Sequence, residues 1–351
     1  MSIAPIPLVY STRNKRIRTA DLRRDGLVPV GFGAYLPKSA IRPESKPWEV
    51  RGTVTAARAS AACFTPDGAQ RAALTGEAAL MLHGIPTWHS APAIHVRVGA
   101  KGNGERLLLP TVRVDGLVAP QAELVRHRVQ GGPPPGPGIS VDIVTAAVDS
   151  ARFEHPLVAW VGMCGALARL SRFHAFKQVD SRRREAAIKK QLMEQADQLR
   201  GRPGHRRVEA IIRGADAGVE GPGEGALHWL VSAILREDQR EAAAIRTQWP
   251  VGGQRYFIDL AIPGLKLDLE FDGVEKTRDY AQGKRWIDRQ NWLLREGWTQ
   301  LRHSTPELMY PEALGRKLAA ELGSNGLRVL PPGGPAWEPV PAPMLSPEVR
   351  H

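Results

Sequence analysis

The chain has 351 residues, 42% apolar and 24% charged, with a formal net charge of +12 and a pI of about 10.1. This is the composition of a soluble globular protein long enough for two domains, and its field attracts a polyanion and repels a cationic partner, so nucleic acid is the first partner to consider. Two cysteines, Cys63 and Cys164, exclude a disulfide framework or a cysteine metal site and fit a reducing cytoplasm.

Residues 1–45 hold one helix-like piece, Thr19 to Arg24, then a glycine-turned hairpin, LVPVGFGAYLP, from Leu27 to Pro37. Helix followed by hairpin suggests the end of a winged helix, degenerate because Met1 to Tyr10 is interrupted by proline and supplies no preceding helices. AQRAALTGEAALMLH, residues 69–83, predicts an alanine-rich helix ending at Gly84, with short strands after it at Ile94–Val98, Thr111–Val114, Val125–Val129 and Ser140–Val144. Between the last two, Gly131 to Gly138 reads GGPPPGPG, a spacer without helix or strand potential.

Pro156 to Leu170 predicts a helix with Leu157, Trp160, Val161, Cys164 and Leu167 on its buried face. It falls short of a bilayer span, and no basic segment precedes an apolar block at the N-terminus, so neither a membrane partner nor a signal peptide is expected. Arg182–Leu199 and Arg206–Gly214 read as helices, and the glycine-rich link Gly218–Gly225 marks the start of the last domain. From Glu224 a helix turns Leu227, Leu230, Val231 and Ile234 inward. Two strands follow, then a helix near Gly283–Glu296, a strand-like Trp298–His303 and a helix Pro311–Leu322. The tail Gly323–His351 is too proline-rich for regular structure and is expected to be disordered. Basic residues cluster at Arg13–Arg24, Arg182–Lys190 and Arg200–Arg207, as a polyanion-binding surface or as solvated helix faces.

The most informative stretch is QRYFIDLAIPGLKLDLEFDG, Gln254 to Gly273. Leu265, Leu267, Leu269 and Phe271 alternate with Lys266, Asp268, Glu270 and Asp272, the period of a half-buried strand, so Glu270 and Asp272 point the same way. In the preceding run Ile258, Leu260 and Ile262 make the buried face, with Asp259 on the other. If the runs pair across the Pro263-Gly264 turn, Asp259 approaches Glu270, and crowded carboxylates call for a proton or a divalent cation.

Glu224, Asp259, EFDG at 270–273 and the block DRQN…LLREGW…LR at 288–302 together resemble the PD-(D/E)XK nuclease-like domain related to very-short-patch repair endonucleases, over residues 205–322. Upstream, the hairpin at 27–37, LTGEAALMLHGIP at 74–86, IHVRV at 94–98 and VDIVTAAVDSAR at 141–152 resemble the AbiEi-type antitoxins of type IV toxin–antitoxin systems. The resemblances imply an α/β protein: a restriction-endonuclease-like mixed sheet flanked by helices at 205–322, after a degenerate winged-helix-like segment (1–45) and an antitoxin-like α/β region (46–200). They imply a magnesium-dependent (or manganese-dependent) endonuclease acting on DNA. Asp259 and Glu270 would be its metal ligands and Glu224 a supporting acid.

This sequence departs from the family at Asp272, which stands where lysine is usual; Lys276 is the first candidate for the missing cation and Lys284 the second. Alternatives to the enzyme are a non-catalytic DNA-binding regulator or antitoxin, and an interaction module that neutralises a toxin partner. Each residue also has a plain structural reading: Glu224 as a helix-start carboxylate, Asp259 and Glu270 as members of an exposed amphipathic hairpin, Asp272 as a turn residue, His83 as a helix-end residue and His228 as a surface or packing residue, while His303 lacks any partner at metal-ligand spacing. Trp286, Trp292 and Trp298 lie among basic residues, as base-stacking or core side chains.

Overall fold

The computed structural model describes residues 6–11, 26–42, 44–99, 106–129, 138–235, 245–272 and 280–340, with side chains of the helix at 280–295 described from 286 onward. The expected helix at 19–24, most of the 131–138 spacer and Lys276 lie outside the described residues. The chain is mixed α/β, in two compact units, Met1–Glu154 and His155–His351. The helices at 156–214 therefore belong with the second unit, and the glycine-rich link at 218–225 is internal to it rather than a boundary.

In the first unit the expected hairpin is present. Strands β2 (Leu27–Gly31) and β3 (Ala34–Pro37) pair antiparallel, with β1 (Val9–Tyr10) on the outer side of β3. Their inner residues Val28, Val30 and Leu36 pack with Val54, Ala57 and Ala61 of helix α1 (Pro47–Cys63) and with Val112 and Val114. Sequence periodicity gives no sign of α1, because the helix is buried on nearly every side and carries no polar stripe over its second half.

The expected helix at 69–83 is half right. Ala72–Thr75 is strand β4, and the helix α2 runs only over Gly76–Leu82. Alanine favours a helix, but pairing of β4 with β5 (Ile94–Val98), Ala72 opposite Val98 and Thr75 opposite His95, overrides that preference. Gly76 turns the chain at φ +68. Strand β9 (Ala122–Arg128) lies parallel to β5, with β6 (Arg106–Leu109) beyond it, and β7 (Val112–Val114) pairs with β8 (Leu117–Ala119). The expected strand Ser140–Val144 reduces to one bridge from Ser140 to Leu74. Asp142 accepts from Thr145 N at 3.0 Å and starts helix α3, Ile143–Phe153.

The second unit opens with helices α4 (Pro156–Ser171), α5 (Gln178–Asp197), α6 (His205–Gly214) and α7 (Pro222–Ile234). Its sheet has the order β10 (Arg246–Val251), β11 (Tyr256–Ile262), β12 (Leu267–Asp272), β13 (Thr299–Ser304). The first three strands are antiparallel and β13 runs parallel to β12, with α8 (Tyr280–Arg295) between them in sequence. Proline at position 250 masks β10 in the sequence; the strand stands at the sheet edge, where proline is tolerated. Leu265, expected on the buried face of β12, sits 40% exposed in the turn Pro263–Leu265, and Lys266 takes φ +49 before the strand begins.

Helix α7 packs on one face of the sheet. A Cβ on Gly223 would lie 2.1 Å from the Phe271 ring, so glycine is what permits this approach. The helices α9 (Thr305–Leu308) and α10 (Pro311–Ser324) follow.

The described part of the tail, 323–340, is ordered, and 341–351 lie outside the described residues. Leu330 N donates to Ile234 O at 2.9 Å, Trp229 Nε1 donates to Ala336 O at 2.8 Å, and the Trp229 and Trp337 rings stack at 4.4 Å. Proline denies it regular structure, but backbone bonds and one tryptophan give it a fixed course.

Candidate active site

Strand pairing assembles a polar row across the second sheet. Leu260 is opposite Leu269, so one step further along the same register sets Asp259 opposite Glu270. Thr247 opposite Leu260 and Trp249 opposite Ile258 bracket Gln248 against Asp259, and Glu270 is opposite Arg302 on β13. Gln248, Asp259, Glu270 and Arg302 thus come from four neighbouring strands. The side-chain contacts follow the row: Gln248 Nε2 donates to Asp259 Oδ1 at 3.2 Å, and Arg302 Nη2 donates to Glu270 Oε2 at 2.9 Å.

The second cation is Arg289 from α8. One of its nitrogens contacts Glu270 Oε1, the other donates to Phe257 O at 3.1 Å and lies 3.8 Å from Asp268 Oδ2. Arg302 also reaches Asp272 Oδ2 at 3.3 Å, and its guanidinium covers the Trp286 ring at 4.5 Å. Arginine, planar and permanently charged, suits such multidentate pairing better than lysine. These two arginines are the cations that the ion pairs bring to Asp268, Glu270 and Asp272, while the side chains of Lys276 and Lys284 lie outside the described residues. Lys266, the described lysine nearest in sequence, instead donates to Glu296 O at 2.7 Å.

Asp268 belongs to the same cluster, and motif reasoning passed it over. Its side chain is fully buried; Oδ2 accepts from Gln300 Nε2 at 3.3 Å, while Oδ1 is buried without a hydrogen-bond partner. Burial pushes its pKa up to about 6, against the pull of Arg289 and with the negative charge of Asp259 adding to the rise. The alternation LDLEFD already placed it beside Glu270; weight on the EFDG motif alone hid it.

Glu224, in the first turn of α7, accepts from Glu220 N at 3.0 Å. Its helix packs on Phe271, which alternation turns away from Glu270. His228 is not at the cleft: it is buried, accepts from Trp160 Nε1 at 3.3 Å, and burial holds its pKa down at about 4. His83 contacts Val141 O at 2.8 Å, and His303 is buried 3.4 Å from Glu321. Trp298 is a core residue beside Ile258 and Leu293.

The basic runs are partly consumed by the fold. Arg182 pairs with Glu185 at 2.8 Å and Asp216 at 2.6 Å, Arg184 donates to Ser171 O at 2.6 Å, and Arg207 binds Glu338 at 2.7 Å. Among the described residues, three ligand-type groups within 4.8 Å of one another occur at Asp197, His205 and Glu209. There Asp197 already holds Arg200 at 2.9 Å and Glu209 holds Arg213 at 3.4 Å. Among the described residues no helix is long and apolar enough to cross a membrane.

Comparison with protein-family models, curated proteins and solved structures gives no match.

Proposed function

We propose that the second unit is a metal-dependent nuclease with a restriction-endonuclease-like fold, and that Asp259, Asp268 and Glu270 form its acidic centre. The observation that carries this reading is the row Gln248–Asp259–Glu270–Arg302, flanked by the partnerless buried oxygen of Asp268. A hard cation of the magnesium or manganese type suits these donors, because carboxylate oxygens are its preferred ligands and an orphaned buried oxygen gains a partner by binding it. Asp259, Asp268 and Glu270 would hold it, and when bound it acts as a Lewis acid that offsets charge on a phosphodiester and acidifies water.

The remaining groups act on the substrate. Arg289 and Arg302 stabilise negative charge growing on the phosphate, the task that lysine performs in the usual motif. Trp286, 44% exposed over Arg302, offers a ring face to a neighbouring base. DNA is the substrate class that the overall +12 charge favours. The first unit keeps the antitoxin-like reading, with a toxin as its partner.

A second reading has an observation of its own. Both oxygens of Glu270 are engaged by guanidinium groups, which describes equally a binding-only domain within a DNA-binding regulator. Incubating supercoiled plasmid with the purified protein in magnesium or manganese, beside Glu270→Ala, separates the two. The enzyme nicks and the variant does not; a regulator retards the plasmid and leaves it intact.

A further inference from the structure

We propose that the pocket between α8 and the turn joining β10 to β11 receives a single unstacked nucleobase, so that the preferred ligand is a nucleic acid with an unpaired nucleotide. The inference rests on the nucleic-acid reading of the second unit and adds a second site to it. The pocket has a volume of about 560 Å³. Its walls include Arg255 and Tyr256 at the start of β11, and Asp288, Asn291, Trp292 and Arg295 on α8. The four helix residues are spaced i, i+3, i+4 and i+7, which puts them on one face.

The chemistry of these walls matches a base. Tyr256 and Trp292 have ring centroids 5.7 Å apart at 48°, a tilted pair in contact that is too close to admit a base between its rings, so a base stacks on an outer ring face. A ring face accepts any base by stacking, and Trp and Tyr are suited to it. Asn291 offers both a donor and an acceptor, and Asp288 offers acceptors, for the polar edge of a base. Arg255, whose guanidinium lies 5.1 Å from the Tyr256 ring centre, and Arg295 supply positive charge for the attached phosphate.

The pocket is built in advance of its ligand. Gly252, Gly253 and Gln254 take φ +59, +65 and +69 in succession, and a Cβ on Gly252 would lie 3.2 Å from the Trp292 ring. Trp292 also packs against the cluster of Val251, Leu293 and Trp298. A base inside a duplex has both faces covered by its neighbours, so these rings reach only a base that has left the stack. Tyr256 is three residues from Asp259 on one strand, roughly 10 Å at the strand rise, and alternation turns the two side chains to opposite faces. Asp288 is next to Arg289, which holds Glu270. The pocket is therefore a site apart from the carboxylates.

The test uses a short duplex with one bulged 2-aminopurine and the same duplex fully paired, each titrated with the full chain at low salt in EDTA, so that cleavage plays no part. The bulged duplex should bind at least about fivefold more tightly, with its fluorescence quenched by stacking. Trp292→Leu, which keeps an apolar contact with the cluster, and Asn291→Ala, at an exposed position that the fold does not depend on, should each weaken that preference at least about threefold. Affinity for the paired duplex should be unchanged in both. Equal affinity for the two duplexes, or a quench that neither variant alters, overturns the pocket and leaves nucleic-acid binding standing. Absence of binding to either duplex overturns both.

Discussion

Arg289 bridges the two central strands of the acidic sheet, with one nitrogen on the Glu270 carboxylate of β12 and the other on the Phe257 carbonyl of β11. Glu270 is buried and Arg289 half-buried, with side chains 5% and 15% exposed. Removing Arg289 takes one of two guanidinium partners from the Glu270 carboxylate, which keeps Arg302. Arg289→Ala should therefore lower the unfolding free energy by about 2 kcal/mol at neutral pH in urea titration, the scale of a hydrogen bond to a charged group. A loss below about 1 kcal/mol would mean that the pair behaves as a surface contact.

Asp268 carries the opposite cost. Its pKa of about 6 lies above the unfolded value of 3.8, so as pH rises the unfolded chain releases this proton first. The stability attached to Asp268 is complete below about pH 4, falls between the two values and is gone above about pH 6. Asp268→Asn should accordingly stabilise the protein by about 2 kcal/mol at neutral pH. That advantage should shrink towards zero as pH is lowered to about 4. An advantage of equal size at both ends would mean that it has nothing to do with the charge.

The first unit should be acid-sensitive. His95 Nδ1 and His127 Nε2 are 2.9 Å apart, and burial lowers both pKa values to about 4 from 6.5. The folded unit holds both rings neutral, so the unfolded chain binds protons first as pH falls. Stability present above pH 6.5 should be lost progressively down to about pH 4. His127→Leu should flatten that slope in chemical unfolding measured across the interval; an unchanged slope would assign acid sensitivity to other groups.

Trp337 tests the corrected tail. Its stack on Trp229 and the neighbouring Ala336 bond tie the segment to α7. Trp337→Ala should cost about 2 kcal/mol, below the range for a fully buried ring because Trp337 is half-buried. A change within about 0.5 kcal/mol would show that the segment lies on the unit without holding it.

Most of the second unit was legible because its signals are local. Period-two alternation located β11 and β12, and with them the antiparallel pairing that sets Asp259 and Glu270 on neighbouring strands; helical spacing located α4 and α7. Other features depend on distant partners. Strand β4 looks helical until β5 pairs with it, α1 lacks an amphipathic stripe because neighbours cover most of it, and Pro250 hides an edge strand. The cations at the site were missed for the same reason. Arg302 meets Glu270 through a parallel pairing 32 residues away, and Arg289 through a helix face, where motif spacing pointed to lysine.

The central claim is that Asp259, Asp268 and Glu270 form one metal-dependent centre for phosphodiester hydrolysis. The most direct measurement is the single-turnover cleavage rate of labelled DNA against magnesium or manganese concentration, for wild type, Asp259→Ala and Glu270→Ala purified in parallel. The account predicts saturable, metal-dependent cleavage by wild type and a loss of at least about a hundredfold in each variant, the scale on which removal of a single catalytic group is felt. Equal rates in all three proteins, or wild-type DNA binding without cleavage at any metal concentration, would contradict it.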